Sequence, residues 1–290
     1  PLLAAERPPE YTLSAGALAE EALLSLRVCD PAVGSGHFLV GAAHRLARHL
    51  ARVRATMAGD AEPSPLLYQK CLRDVIGRCL YGVDINPMAA ELCRVSLWLE
   101  ALEPGKPLSF LDHHIRVGNS LLGATPDLIA GGLPDEAFKP IGDDDSKVCN
   151  ELKRANKSQR ESRDLFPVLA MESAAADARL AVASAAITLL PDDRPDLVRE
   201  KEAAYITLRQ STEYQRKVRL YDTWCAAFVI RKEDPRRKST ELSDARPPAG
   251  ITMTEIEAVA GGHAIHPHLS EQVTTLAKQY QFFHWHLAFP

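Results

Sequence analysis

The residues best suited to chemistry form one run, Asp30-Pro31-Ala32-Val33-Gly34-Ser35-Gly36-His37-Phe38-Leu39. A short β-type stretch, Leu26 to Cys29, stops at Asp30-Pro31. Behind the glycines, Phe38, Leu39, Ala42, Ala43, Leu46, Ala47 and Leu50 recur at helical spacing. Glycines between a strand and a helix let the backbone approach a ligand closely, and the exposed N–H groups of the helix start favour an anionic group. A dinucleotide turn would use the same device, but its third glycine is absent because Leu39 stands there. The carboxylate of Asp30, directly before the loop, suits a cationic ammonium better than a pyrophosphate. Other candidates are weaker. His263, His266, His268, His284 and His286 lie near one another in sequence, but no carboxylate or cysteine completes a zinc spacing and Pro267 interrupts any helix, so no metal is expected. The six cysteines (Cys29, Cys71, Cys79, Cys93, Cys149, Cys225) include no Cys-x-x-Cys pair and read as reduced core thiols of a cytoplasmic protein.

The elements that must position this run alternate strand and helix. A helix is predicted from about His37 to Val53, and Ala58 to Pro65 is a breaker-rich loop. A second helix follows from Leu66 to about Cys79, then a strand at Leu80-Tyr81-Gly82-Val83-Asp84-Ile85. Asn86-Pro87 opens another helix, with Asn as cap and Pro in the first turn. Leu92, Val95, Ser96 and Leu99 line one side of it, and Ile115 to Gly118 is a third strand candidate. Such alternation implies an α/β fold with a parallel, doubly wound sheet, of which about half is present.

From Ala124 the pattern becomes mostly helical with no strong β signal. Ala170 to Ala186 is alanine-rich, Leu197 to Arg219 reads as one long charged helix, and Tyr221 to Ile230 is apolar. The basic stretches Lys147 to Arg163 and Arg231 to Lys238 read as solvated faces, with tracking of phosphates as the alternative. Trp98 reads as a core or interface residue. The net charge of −4 excludes a generic polycation. No apolar run approaches the ~20 residues of a membrane span, and no secretory signal is visible.

The Asp30 run resembles the S-adenosylmethionine loop of amino-DNA methyltransferases, specifically the large N6-adenine enzymes of the type IIG restriction–modification and DISARM/BREX phage-defence kind. Leu80 to Pro87 is similar to the family's second motif, and Gly118-Asn119-Ser120-Leu121 to its third. Leu108 to Gly123 and Phe282 to Pro290 also look like stretches of this group. The resemblance is dense over 26–123 and thin beyond, and three motifs in the correct order make it specific. It implies a Rossmann-like class I methyltransferase sheet of which the first three strands lie in residues 1–123, with residues 124–290 a mostly helical insertion before the fourth strand. The cofactor-binding set it implies is Asp30, Pro31, Ala32, Gly34, Ser35, Gly36, His37 and Phe38 of the loop, with Asp84, Ile85 and Asn119. Asp84 would take the ribose hydroxyls, Ile85 would pack on adenine, and Asn119 would bond its edge. The chemistry of S-adenosylmethionine agrees: Asp30 can take the ammonium, the amides around Gly34 to Gly36 the carboxylate, Asp84 the diol.

Two departures stand against the family pattern. Asp30 and Asp84 are 54 positions apart, against ~20 in the simple strand–helix–strand unit, so an additional helix must fit between the strands. The Asn/Asp-Pro-Pro-aromatic motif that holds the target adenine is absent. Pro8-Pro9 and Pro247-Pro248 follow Arg7 and Arg246, and Asn86-Pro87-Met88 lacks the second proline and the aromatic. No catalytic residue is therefore assigned. The motif upstream of the first strand is not recognisable in Pro1 to Ser25. The start at Pro1 and the end at Pro290 suggest a fragment with the catalytic motif just downstream, poorly soluble alone. The implied parent is a DNA adenine-N6 methyltransferase acting on DNA in the cytoplasm, with no membrane association and with other defence-system subunits as further partners. A methyltransferase on RNA or protein, a non-catalytic split subunit and a dinucleotide oxidoreductase are the alternatives.

Overall fold

The computed structural model describes residues 15–161, 166–234 and 248–290, the helix over 166–174 by its backbone alone. In chain order the first part runs α1 (Ala15–Leu24), β1 (Val28–Asp30), α2 (His37–Ala58), α3 (Pro65–Cys79), β2 (Leu80–Asp84), α4 (Pro87–Glu100) and β3 (Ile115–Val117). The remaining described residues form helices: α5 (Pro126–Gly131), α6 (Ser146–Glu161), α7 (Phe166–Leu189), α8 (Pro195–Gln210), α9 (Thr212–Val229), α10 (Met253–Ala260), α11 (Pro267–Tyr280) and α12 (Trp285–Ala288).

The three strands pair in the order β1-β2-β3, all parallel, with Val28 opposite Leu80 and Gly82 opposite Ile115. Parallel neighbours need crossovers, which α2 with α3 and then α4 supply. The local signals are those of the sequence. Ser64 accepts from the Leu67 amide ahead of Pro65, and Asn86 accepts from the Met88 amide ahead of Pro87. The extra length between Asp30 and Asp84 is α3, which lies along α2. Its buried residues Leu72, Val75 and Ile76 join Leu39, Ala43, Leu50, Leu80 and Ile115 in one apolar cluster. The opposite face of the sheet meets the second half of the chain. There Tyr81 packs edge-on against Phe289 and Tyr205 edge-on against Phe110. A second cluster, from Ala124 to Leu287, surrounds the fully buried Tyr221 on α9 and includes Trp224, Met253, Ile256 and Leu269.

Three expectations change, and the orientation of α4 is settled. The predicted long helix over 197–219 is two helices, because Ser211 leaves the helical conformation and caps α9 through the Tyr214 amide. The helix after the first glycines runs five residues past Val53, to Ala58, where Gly59 closes it at φ 84°. The apolar side of α4 faces outward: Leu92, Val95 and Leu99 are 50%, 44% and 65% exposed, while Ala90, Cys93 and Leu97 are buried. Small residues on the inner side let α4 approach the sheet and α2 closely. Among the thiols, Cys71, Cys79, Cys93, Cys149 and Cys225 are free and buried, but Cys29 is exposed. It lies on β1, which pairs on one side only among the described residues.

Candidate functional site

Asp30 and Asp84 end neighbouring parallel strands, so both carboxylates stand at the same edge of the sheet, where open α/β sheets bind ligands. The loop between β1 and α2 is tied to β2 by its backbone, the Val33 amide donating to the Val83 carbonyl at 2.9 Å. Asp84 does more than sit nearby. Its Oδ2 accepts from the Gly34 amide at 2.9 Å and its Oδ1 from the Asn86 amide at 2.8 Å, so one carboxylate clamps the glycine loop to the start of α4. Each oxygen keeps a further lone pair for a ligand hydroxyl. Asp30 Oδ1 accepts from the Ala32 amide at 3.0 Å, which turns the chain at Pro31.

The two glycines have separate reasons. Gly34 has φ 53° and open space where a side chain would be, a cradle a ligand can enter. Gly36 has φ 87°, and a Cβ there would stand 2.8 Å from Cys93 Sγ, so it lets the start of α2 press onto α4. Burial pushes the Cys93 thiol up to about 12, so it is an uncharged packing group. The loop amides are not all free. Gly34 serves Asp84 and Gly36 donates to the Val33 carbonyl. An anionic group here would instead meet the Ser35 amide and the first amides of α2, at His37 and Phe38. Of the amides around Gly34 to Gly36, this leaves that of Ser35 without an acceptor in the loop. Ser35 Oγ and His37 Nδ1 lie 2.8 Å apart and hold one another at the turn. Phe38, at the start of α2, and Ile85, directly after Asp84, are 63% and 53% exposed.

Asn119 lies two residues beyond β3, whose end pairs with Asp84. Its amide donates to the Gln281 carbonyl at 2.7 Å, and its Oδ1 accepts from the Leu121 amide at 3.1 Å. The side-chain NH2 is the part left to meet a ligand. The sequence reading missed what holds this turn. Residues 282–285 strap across it: the Phe283 amide donates to the Leu122 carbonyl at 2.7 Å, Trp285 Nε1 to the Ser120 carbonyl at 3.0 Å, and His284 Nδ1 accepts from the Ala124 amide at 3.1 Å. A Cβ at Gly123 would fall 2.0 Å from the Phe283 carbonyl oxygen, and one at Gly118 would meet the Phe283 ring. The glycine pair flanking Asn119 was the available signal. His284 also lies 3.0 Å from Asp222, so it is a structural link between the turn and α9. His266 caps α11, accepting from the His268 amide at 3.3 Å. Trp98 donates to the Ser109 carbonyl at 2.7 Å and packs on the sheet's core.

The basic stretches divide. On α6, Lys153 and Arg160 pair with Asp135, while Lys147, Arg154 and Lys157 are exposed. Lys232 is fully buried and donates to the Ile230 carbonyl, and Arg231 pairs with Glu233. Arg163 and residues 235–238 lie outside the described residues.

Two parallel crossovers, a clamped glycine loop and two strand-end carboxylates are thus assembled in one place. Residues 16–106 match the MmeI DNA-methyltransferase domain. The MmeI-type match spans α1 through the loop after α4, so it contains Asp30, the glycine turn and Asp84 but not Asn119. Two curated relatives agree with it. One is a candidate type II restriction enzyme and methyltransferase of Methanocaldococcus jannaschii, 36% identical over 34% of this chain and 9% of its own length. The other is the adenine-specific methyltransferase PglX of Streptomyces coelicolor, 28% identical over 49% of this chain and 11% of its own length. The matched stretches thus span about a tenth of each relative. No solved structure matches. Among the described residues, no helix is long and apolar enough to cross a membrane.

Proposed function

We propose that this chain carries the S-adenosylmethionine site of a DNA methyltransferase that modifies adenine N6, working in restriction–modification or phage defence with DNA as partner. The single observation that carries the reading is the Asp84 clamp. It brings a carboxylate, a glycine turn and a helix start together at one edge of the sheet, and that edge lies inside the MmeI-type match. The residues suit the cofactor. Asp30 offers a partner for its ammonium, Ser35 and the start of α2 for its carboxylate, Asp84 for its ribose diol. The exposed Ile85 and Phe38 and the Asn119 NH2 suit its adenine. When bound, S-adenosylmethionine supplies an activated methyl group on a sulfonium. The protein's own part is to bind, orient and exclude water. In the same reading residues 1–123 form the cofactor-binding part, 124–290 a helical insertion, and the setting is the cytoplasm, with further defence-system subunits as partners. The target adenine needs an Asn/Asp-Pro-Pro-aromatic motif that these 290 residues do not contain.

Calorimetric titration of S-adenosylmethionine into the chain and into Asp84→Ala tests this. Removing a carboxylate that holds both the diol and the loop should weaken binding at least tenfold. Asp84→Asn should fall between, because it keeps one acceptor oxygen. Equal affinity in all three proteins would remove the reading, as would tight binding of NADH without binding of S-adenosylmethionine.

A further inference from the structure

A cleft of about 370 Å³ opens beside β3, between that strand and α8. Three guanidiniums line it: Arg94 from α4, Arg116 from β3 and Arg209 from α8, with Gln210, Tyr205 and Asp112 around them. Arg94 is already compensated. It pairs closely with Glu91, lies 3.6 Å from Asp112 and donates to the Ile115 carbonyl, and so finishes the open edge of β3. Arg116 and Arg209 are different. Among the described residues neither has a carboxylate within ion-pair distance, although both are half-buried. Arg116 lies 5.5 Å from the centre of the Tyr205 ring, and Arg209 donates to the Tyr214 hydroxyl at 2.6 Å and lies over that ring. Aromatic faces and a neutral hydroxyl orient these side chains without neutralising them.

Burial and then the neighbouring Arg209 push Arg116 down to about 10. Two like charges drawn together and out of water destabilise a fold unless an anion joins them. Guanidinium forks match tetrahedral oxyanions with paired N–H donors, and half-burial strengthens such bonds over those of a solvated lysine patch.

We infer that Arg116 and Arg209, with Gln210 at the rim, form a binding site for a phosphate oxyanion. The phosphate can come from a DNA backbone or from a small phosphorylated molecule. The site stands on different residues from the Asp84 pocket and does not depend on the cofactor reading. Its placement matters for function because Arg116 is three residues before Asn119 and on the strand that carries that turn, so an occupant of the cleft would bear directly on β3.

The test uses the 290-residue chain with inorganic phosphate and, separately, a short DNA duplex, each followed by calorimetry and by thermal melting. Arg116→Gln and Arg209→Gln are compared with Lys157→Gln on α6, which leaves the cleft intact. Wild type and Lys157→Gln should bind phosphate or duplex alike, and each cleft variant should bind at least tenfold more weakly. Arg116→Lys should recover part of the loss, because it keeps the charge and not the fork. A cleft-dependent effect of phosphate alone assigns a small-molecule site, and a cleft-dependent effect of duplex, with a shallower salt dependence in the variants, assigns a backbone phosphate. If neither probe distinguishes wild type from cleft variants that keep the wild-type circular dichroism, the inference is overturned. Should Arg116→Gln fail to fold, Arg209→Gln decides alone, since it lies on the rim of α8 rather than in the sheet.

Discussion

Asp84 and Gly36 show how much one residue position can carry. The acidic end of β2 is legible in sequence, but its use is not: its two oxygens are divided between the Gly34 and Asn86 amides, which no spacing rule predicts. Gly36 combines a left-handed φ of 87° with a missing side chain that Cys93 would otherwise strike. Gly36→Ala should therefore cost about 1–3 kcal/mol in chemical denaturation, from backbone strain and overpacking together. Cys93→Ala in that background should return only the packing part. A Gly36→Ala protein as stable as wild type would show that the contact relaxes freely. The glycine run was readable as a turn between strand and helix because strand, turn and helix signals are local. Which amides remain free was not, because hydrogen bonds from β2 consume one of them.

At the scale of elements, α4 is the instructive case. Its sequence carries an apolar side through Leu92, Val95 and Leu99, and periodicity alone would turn that side inward. The structure buries Ala90, Cys93, Arg94 and Leu97 instead, and the small Ala90 and Cys93 let the helix lie close to α2 and the sheet. Leu92→Glu with Leu99→Lys should change stability by no more than about 0.5 kcal/mol per site and raise the concentration at which the chain stays monodisperse. Leu97→Ala, by contrast, should cost about 2–5 kcal/mol. A large loss from the surface pair, read in the same urea titration, would mean that this face is covered. The break at Ser211 is of the same kind: charged residues on either side continue a helical pattern, but Ser211 is extended and caps α9, whose residues pack in the second cluster.

For the molecule as a whole, the two halves meet through buried rings beneath β2 and β3. His113 and His114 are buried there, their rings 4.1 Å apart and His114 4.3 Å from the Tyr81 ring. Burial pushes His114 down to about 3 and His113 well below its ordinary value, and His286 falls to about 4 for the same first reason. The unfolded chain takes up these protons below pH ~6.5 while the folded one does not, so stability is full above that pH and is lost as pH falls towards 3. His114 alone should cost about 2 kcal/mol at pH 5. Thermal melts at pH 7.5 and pH 5.0 should show the drop, and His114→Gln should flatten it. Identical wild-type melting temperatures at the two pH values would contradict the burial of neutral rings.

Sequence alone determined the alternation of strands and helices, the caps at Ser64 and Asn86, and the strand–turn–helix unit that holds Asp30, Gly34 and Gly36. Each of these rests on residues close together in the chain, where backbone sterics and hydrogen-bond geometry act directly. Tertiary structure decided which side of α4 is buried, that Asp84 clamps the glycine loop, that residues 282–285 strap the Asn119 turn, and that Arg116 and Arg209 share one cleft. Those outcomes join residues separated by as many as 165 positions, as Trp285 and Ser120 are, and they depend on packing distances that a one-dimensional pattern does not contain.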